Sequence, residues 1–107
     1  VYVVGDPVAE DMIAALNEKS ESLQTLYSSS RKRIDTYNAM VERVLSLVRE
    51  GLTVCAVFYG HPGVFVYPSH EAVKQARAEG FSAVMLPGIS AEDCLFADVG
   101  FDPATTG

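Results

Sequence analysis

The stretch VFYGHPGVFVYPSH, residues 57–70, sets a turn that is poor in side chains between two apolar runs. Gly60 and Gly63 have no Cβ, so their backbone N–H and C=O groups can approach a ligand closely. Pro62 fixes φ, which leaves little loop freedom to be lost on binding. Pro87-Gly88-Ile89-Ser90 has the same character, and Ser90 opens a helix whose first N–H groups lack intrahelical partners. Gly5-Asp6-Pro7 is a third such loop. Together these loops suit a small polar cofactor held by backbone, such as an amino-acid carboxylate or a ribose; taken singly, each is equally a tight turn. His61 can be a turn residue, a cofactor contact or a general base, the last without an evident orienting partner. His70 reads as a surface residue at a helix start, and Glu92 and Asp93 as groups serving a helix N-terminus. With no GxxxxGK[ST] or GxGxxG and no nearby lysine, a nucleoside triphosphate is disfavoured.

The elements that must carry these loops alternate. Residues 1–4 predict a buried strand and 9–16 a short helix with Met12, Ile13 and Leu16 at helical spacing. Alternation over 22–27 predicts a strand, and 28–33 a polar connector. Residues 34–50 predict a long helix whose apolar stripe is Ile34, Tyr37, Met40, Val41, Val44, Leu45 and Val48, with Gly51 closing it. The continuous apolar run over 53–59 predicts a strand buried on both faces. A helix capped by Ser69 runs to Glu79, a strand follows over 83–86, and Ser90 with Asp93 opens a last helix ending near Val99. Strands alternating with helices imply an α/β fold with a mostly parallel sheet flanked by helices. The three loops then emerge at the carboxyl ends of parallel strands, the edge where open α/β sheets bind ligands.

Composition narrows the function classes. The 107 residues are 49% hydrophobic and 21% charged, enough apolar content for one core and too little charge for disorder. A formal charge of −6 disfavours nucleic acid as a partner, and Arg31-Lys32-Arg33 is too short a basic cluster to change that. No apolar run is long enough to span a membrane, so the chain reads as soluble and cytoplasmic. Cys55 and Cys94 lie in apolar segments without metal-ligand spacing and read as buried, reduced thiols; no metal site is expected. The chain opens without Met on a strand-like run, and reads as a segment of a longer protein.

YGHPGVF followed by LPGISAEDCLFADVGFDP resembles the S-adenosylmethionine-dependent tetrapyrrole-methylase superfamily. More closely, it resembles the borosin peptide backbone α-N-methyltransferases, found fused to their peptide substrate or as separate enzymes. The likeness runs from Tyr2-Val3-Val4-Gly5-Asp6-Pro7 through Asp35-Thr36-Tyr37 and Met40-Val41-Glu42-Arg43 to Pro103, and the last block is the most specific. The resemblance implies S-adenosylmethionine in a cleft against a second α/β domain, a peptide substrate and a homodimer. By matching motif, the cofactor contacts are Gly60, His61, Val64, Phe65, Ser90 and Ala91. His61 stands where general tetrapyrrole methylases usually carry Asp, which favours the borosin branch. The catalytic cluster matches Tyr27, Arg33, Tyr37 and Tyr59. Residues 1–107 then read as a partial N-terminal domain, without the family's first strand and second domain.

A tyrosine–arginine cluster suits amide methylation. A peptide nitrogen delocalises its lone pair into the carbonyl and is a poor nucleophile. Its N–H proton must be removed, and a hydroxyl or guanidinium can stabilise the charge that moves to oxygen. A tyrosine beside an arginine is biased toward phenolate, a candidate base. Arg33 and Tyr37 are i,i+4 on one helix face; Tyr37 is equally a core residue of the stripe, and Arg33 equally an extension of the basic loop. Two other readings stand beside this one: a methyltransferase for a tetrapyrrole precursor, and a non-catalytic fragment.

Overall fold

A computed structural model describes residues 1–26, 30, 32–64 and 66–106. The chain forms β1 (Tyr2–Val4), α1 (Pro7–Leu16), β2 (Ser20–Ser22), a 3₁₀ turn (Gln24–Leu26), α2 (Arg33–Arg49), β3 (Cys55–Val57), α3 (Tyr67–Ala78), α4 (Ala91–Val99) and a second 3₁₀ turn (Pro103–Thr106). The three strands are parallel in the order β2-β1-β3, with Tyr2 opposite Ser20 and Cys55. This is the α/β arrangement that the alternating pattern implies.

Local chemistry explains the helix starts. Asp6 caps α1 by accepting the Val8 N–H at 3.1 Å, with Pro7 in the first turn where no N–H is needed. Ser90 and Asp93 form a reciprocal capping box on α4. Gly51 follows α2 with φ +87°, a conformation costly for any residue with a Cβ.

The core is built on α2. Met40, Val41, Val44 and Leu45 of the expected stripe are buried, joined by Thr36 and Leu47, and they pack with Val3, Leu23, Ala72 and Ala76. Tyr37 lies at the margin of this core and Ile34 is left exposed in the opening turn. Two arginines fasten α2 to its neighbours. Arg43 holds both oxygens of Glu21 in β2, and Arg49 bridges Glu42 and Glu79 at the far end of α3. Both sites are partly open to water, so each contributes modestly.

Several expectations fail. The strand over 22–27 is replaced by β2 ending at Ser22 and a turn, because Ser22 Oγ accepts the Gln24 N–H and Thr25 Oγ1 donates to the Ser22 carbonyl. Such local side-chain bonds compete with a ladder. The strand over 53–59 shrinks to β3, which pairs with β1 on one side only, so Cys55 is exposed rather than buried. Cys94 is exposed too, on α4, which buries none of its residues.

The strand over 83–86 does not form. Residues 82–86 run beside an apolar cleft of about 450 Å³ whose other walls are residues 54–58, Val44 and Val48 of α2, and one face of α3. Among the described residues no ladder bond crosses that cleft. A strand without a neighbour has no ladder partner for its N–H and C=O groups. Val84 and Leu86 are accordingly 75% and 72% exposed.

Candidate functional site

All three strands end on one edge, at Val4, Ser22 and Val57, and the loops that follow β1 and β3 meet there. A cleft of about 340 Å³ opens between them. Its walls include Gly5 after β1, Tyr37 and Met40 of α2, Phe58 to His61 and Val64 after β3, Tyr67 and Pro68 of α3, and Ser90 to Glu92 at the start of α4. Among the described lining residues there is no Lys or Arg, and Glu92 is the one carboxylate.

Beside the cleft two loops touch backbone to backbone. A Cβ on Gly88 would lie 2.6 Å from the Gly60 carbonyl oxygen, so no side chain fits at this crossing. Gly60 itself has φ +69°, and its hydrogen side faces the Ile89 carbonyl, 3.3 Å from where a Cβ would sit. The loop after β3 is also held from within and from α3. His61 Nδ1 accepts the Gly63 N–H at 2.9 Å, His70 Nε2 lies 2.7 Å from the Gly63 carbonyl oxygen, and Ser69 Oγ donates to the Pro62 carbonyl. Ser69 is therefore a loop anchor rather than the expected N-cap; the N-cap is Val66, and the helix begins three residues earlier than expected, with Tyr67 and Pro68. His70 is exposed as expected, yet its ring is engaged with Gly63.

Across the cleft, the Asp93 carboxylate accepts from the Ser90 N–H at 2.8 Å and from the Ser90 hydroxyl at 2.9 Å. These bonds, the backbone one foremost, hold the Asp93 carboxyl below the usual range. Ser90 Oγ in turn accepts the Asp93 N–H, which leaves the Ala91 and Glu92 N–H groups of the first turn available at the cleft wall.

The cleft thus brings together Tyr37, Tyr59, Gly60, His61, Val64, Ser90 and Ala91 of the expected site residues. Arg33 opens α2 one turn before Tyr37, is exposed, and does not line the cleft. Tyr27 and Phe65, and residues 28, 29 and 31 of the polar connector before α2, lie outside the described residues. Sequence reasoning missed Tyr67. Its ring stacks on Tyr37 at 6.2 Å between centroids and 29° between planes, and its hydroxyl donates to Asn38 Oδ1 at 3.2 Å. The signal was an aromatic residue just before Pro68, at a helix start that the Ser69 capping argument had placed too late.

The tetrapyrrole (corrin/porphyrin) methylases match this sequence over residues 1–107. The chain belongs to that family. Within the family it is similar to fungal proteins named as methyltransferases joined to ribosomally synthesised peptide precursors. A type I borosin cyclic peptide precursor of Coprinopsis marcescibilis is 56% identical over 106 residues, which are 99% of this chain and 27% of the relative. A type III borosin precursor of Anomoporia bombycina is 52% identical over 99% of this chain and 12% of its own length. The omphalotin A precursor of Omphalotus olearius is 50% identical over 99% of this chain and 25% of its own. The chain thus spans about a quarter of the length of most of these relatives. No helix among the described residues is long and apolar enough to cross a membrane.

Proposed function

We propose that the protein is an S-adenosylmethionine-dependent methyltransferase that α-N-methylates backbone amides of a ribosomally synthesised peptide. The observation that carries this reading is the cleft at the carboxyl edge of the sheet. It sets two tyrosines, Tyr37 and Tyr59, beside backbone loops and a helix N-terminus suited to a small zwitterionic cofactor. The identity to borosin precursors supports a peptide as the substrate, fused to the enzyme as in those relatives. A cleft whose described walls hold no cationic side chain is a poor host for a tetrapyrrole precursor bearing many carboxylates.

The residues present fit S-adenosylmethionine. Gly60, His61, Val64, Ser90 and Ala91 line the cleft, with Phe65, next to Val64 in sequence, proposed as a further contact, and the close approach of Gly88 to Gly60 shows why no side chain fits where their loops cross. When bound, the cofactor supplies a methyl group on a positively charged sulfur. The chain's own residues do the rest. A phenolate at Tyr37 or Tyr59 takes the amide proton, leaving the electron pair on nitrogen as the attacking pair, and a second hydroxyl donates to the amide oxygen as charge gathers there. Arg33, on the same helix as Tyr37, and Tyr27 complete the proposed polar cluster. Stacking against Tyr67 gives the Tyr37 ring a neighbour that favours this orientation.

Residues 1–107 are, in this reading, part of an N-terminal domain in a cytoplasmic homodimer. The unpaired edge of β3, facing residues 82–86 across an apolar cleft, supports the reading that another strand of the whole protein completes the sheet. The test of function is to incubate the full-length protein with methyl-labelled cofactor and either its peptide or a tetrapyrrole precursor. Label on peptide backbone nitrogens is expected; label on the tetrapyrrole, or on neither, overturns the proposal.

A further inference from the structure

The two histidines of the chain converge on one glycine. A carbonyl oxygen only accepts, so at 2.7 Å from the Gly63 oxygen His70 Nε2 must carry its proton and donate it. An N–H only donates, so His61 Nδ1 must be unprotonated to accept from Gly63, and the neutral His61 ring carries its proton on Nε2. Ser69, next to His70 in the first turn of α3, donates to the Pro62 carbonyl. Three backbone groups of the loop are thereby held before any ligand arrives. Gly63 is seated closely enough that a Cβ would meet His61 Cε1 at 3.2 Å and Met85 Sδ at 2.7 Å.

We propose that His70 is a positioning residue for the cofactor: with His61 it clamps Gly63 from both sides and fixes the shape of loop 60–63. The clamp rests on the reading of that loop as cofactor-binding. Its physical effect is preorganisation. A loop already in its bound shape loses less freedom when the ligand enters, and α3, which is packed on the core through Ala72 and Ala76, supplies the rigid support.

The test uses the full-length protein and S-adenosylhomocysteine as the probe, by calorimetric titration. His70→Leu, which fills similar space without a donor, is expected to weaken binding about fivefold, the effect of one ordinary hydrogen bond. His70→Gln, which keeps an N–H donor of similar reach, is expected to restore most of that affinity, and the melting temperatures of both variants are expected to stay near that of the wild type. Wild-type affinity in His70→Leu, or equal weakness in both variants, overturns the clamp. Nitrogen NMR of the imidazole rings in the unsubstituted protein gives a check that needs no variant. A proton is expected on His70 Nε2 and none on His61 Nδ1, and a proton on His61 Nδ1 contradicts the geometry. If the wild type binds no probe at all, the cofactor reading itself falls, and the clamp's role with it.

Discussion

Around α2, Val3, Leu23 and Leu45 are wholly removed from water, with Met40 and Val41 close behind. From Tyr59 onward the balance reverses outside α3. Tyr59 is 74% exposed, Val84 and Leu86 stand free beside the β3 cleft, and α4 buries none of its residues. The first region is held by side chains interdigitating with side chains. The second is held by backbone: glycine against glycine at the loop crossing, histidines on a peptide group, and a serine–aspartate cap. The contrast separates a scaffold that fixes where the strands end from an edge that keeps its surfaces available.

Substitutions should divide along the same line. The largest loss of stability is expected at Leu45→Ala, about 2–5 kcal/mol by chemical denaturation of the full-length protein, since a fully buried leucine leaves a cavity. Leu86→Ala sharpens the comparison. If another strand of the protein fills the cleft beside β3, its cost approaches the core range; if residues 82–86 remain as exposed as they are here, it stays within about 0.5 kcal/mol. At the loop edge, Gly88→Ala places a methyl 2.6 Å from the Gly60 carbonyl oxygen and must part the two loops. Its expected signature is a loss of S-adenosylhomocysteine affinity of about tenfold or more, with far less loss of stability than Leu45→Ala.

What the sequence disclosed depended on how local the responsible physics is. The α2 stripe, the Ser90–Asp93 cap and the Gly51 stop are settled within a few residues, and each appears where its pattern places it. Strand pairing is not local. The apolar runs over 53–59 and 83–86 carry strand composition, but a ladder needs a neighbour, and β3 has one on a single side. Cys55 follows from the same cause: it looked buried because the strand looked central. Tyr37 and Tyr59 were legible as site residues only through the family motif, because stripe position alone made Tyr37 equally a core residue. The grip of His61 and His70 on Gly63 was invisible, since nothing in the spacing of two histidines says that their rings share a partner.

A smaller effect concerns the cap of α4. The folded-state pKa of Asp93 is lowered by its bonds to Ser90, so ionised Asp93 stabilises the folded protein at neutral pH. That contribution is complete above the ordinary aspartate range and is lost as pH falls through the depressed value. Melting temperatures of the wild type and Asp93→Asn should therefore differ most near neutrality and converge in acid. A constant difference across the series would remove Asp93 ionisation from the account.

The central claim is that the tyrosines at the carboxyl edge carry methyl transfer, and single-turnover rates in the full-length protein with its peptide test it most directly. Tyr37→Phe and Tyr59→Phe each keep the ring and lose the hydroxyl. With bound cofactor confirmed in both variants, the account predicts that at least one falls by about 100-fold, the lower range for a positioned acid–base group. Near-wild-type rates in both variants would contradict it.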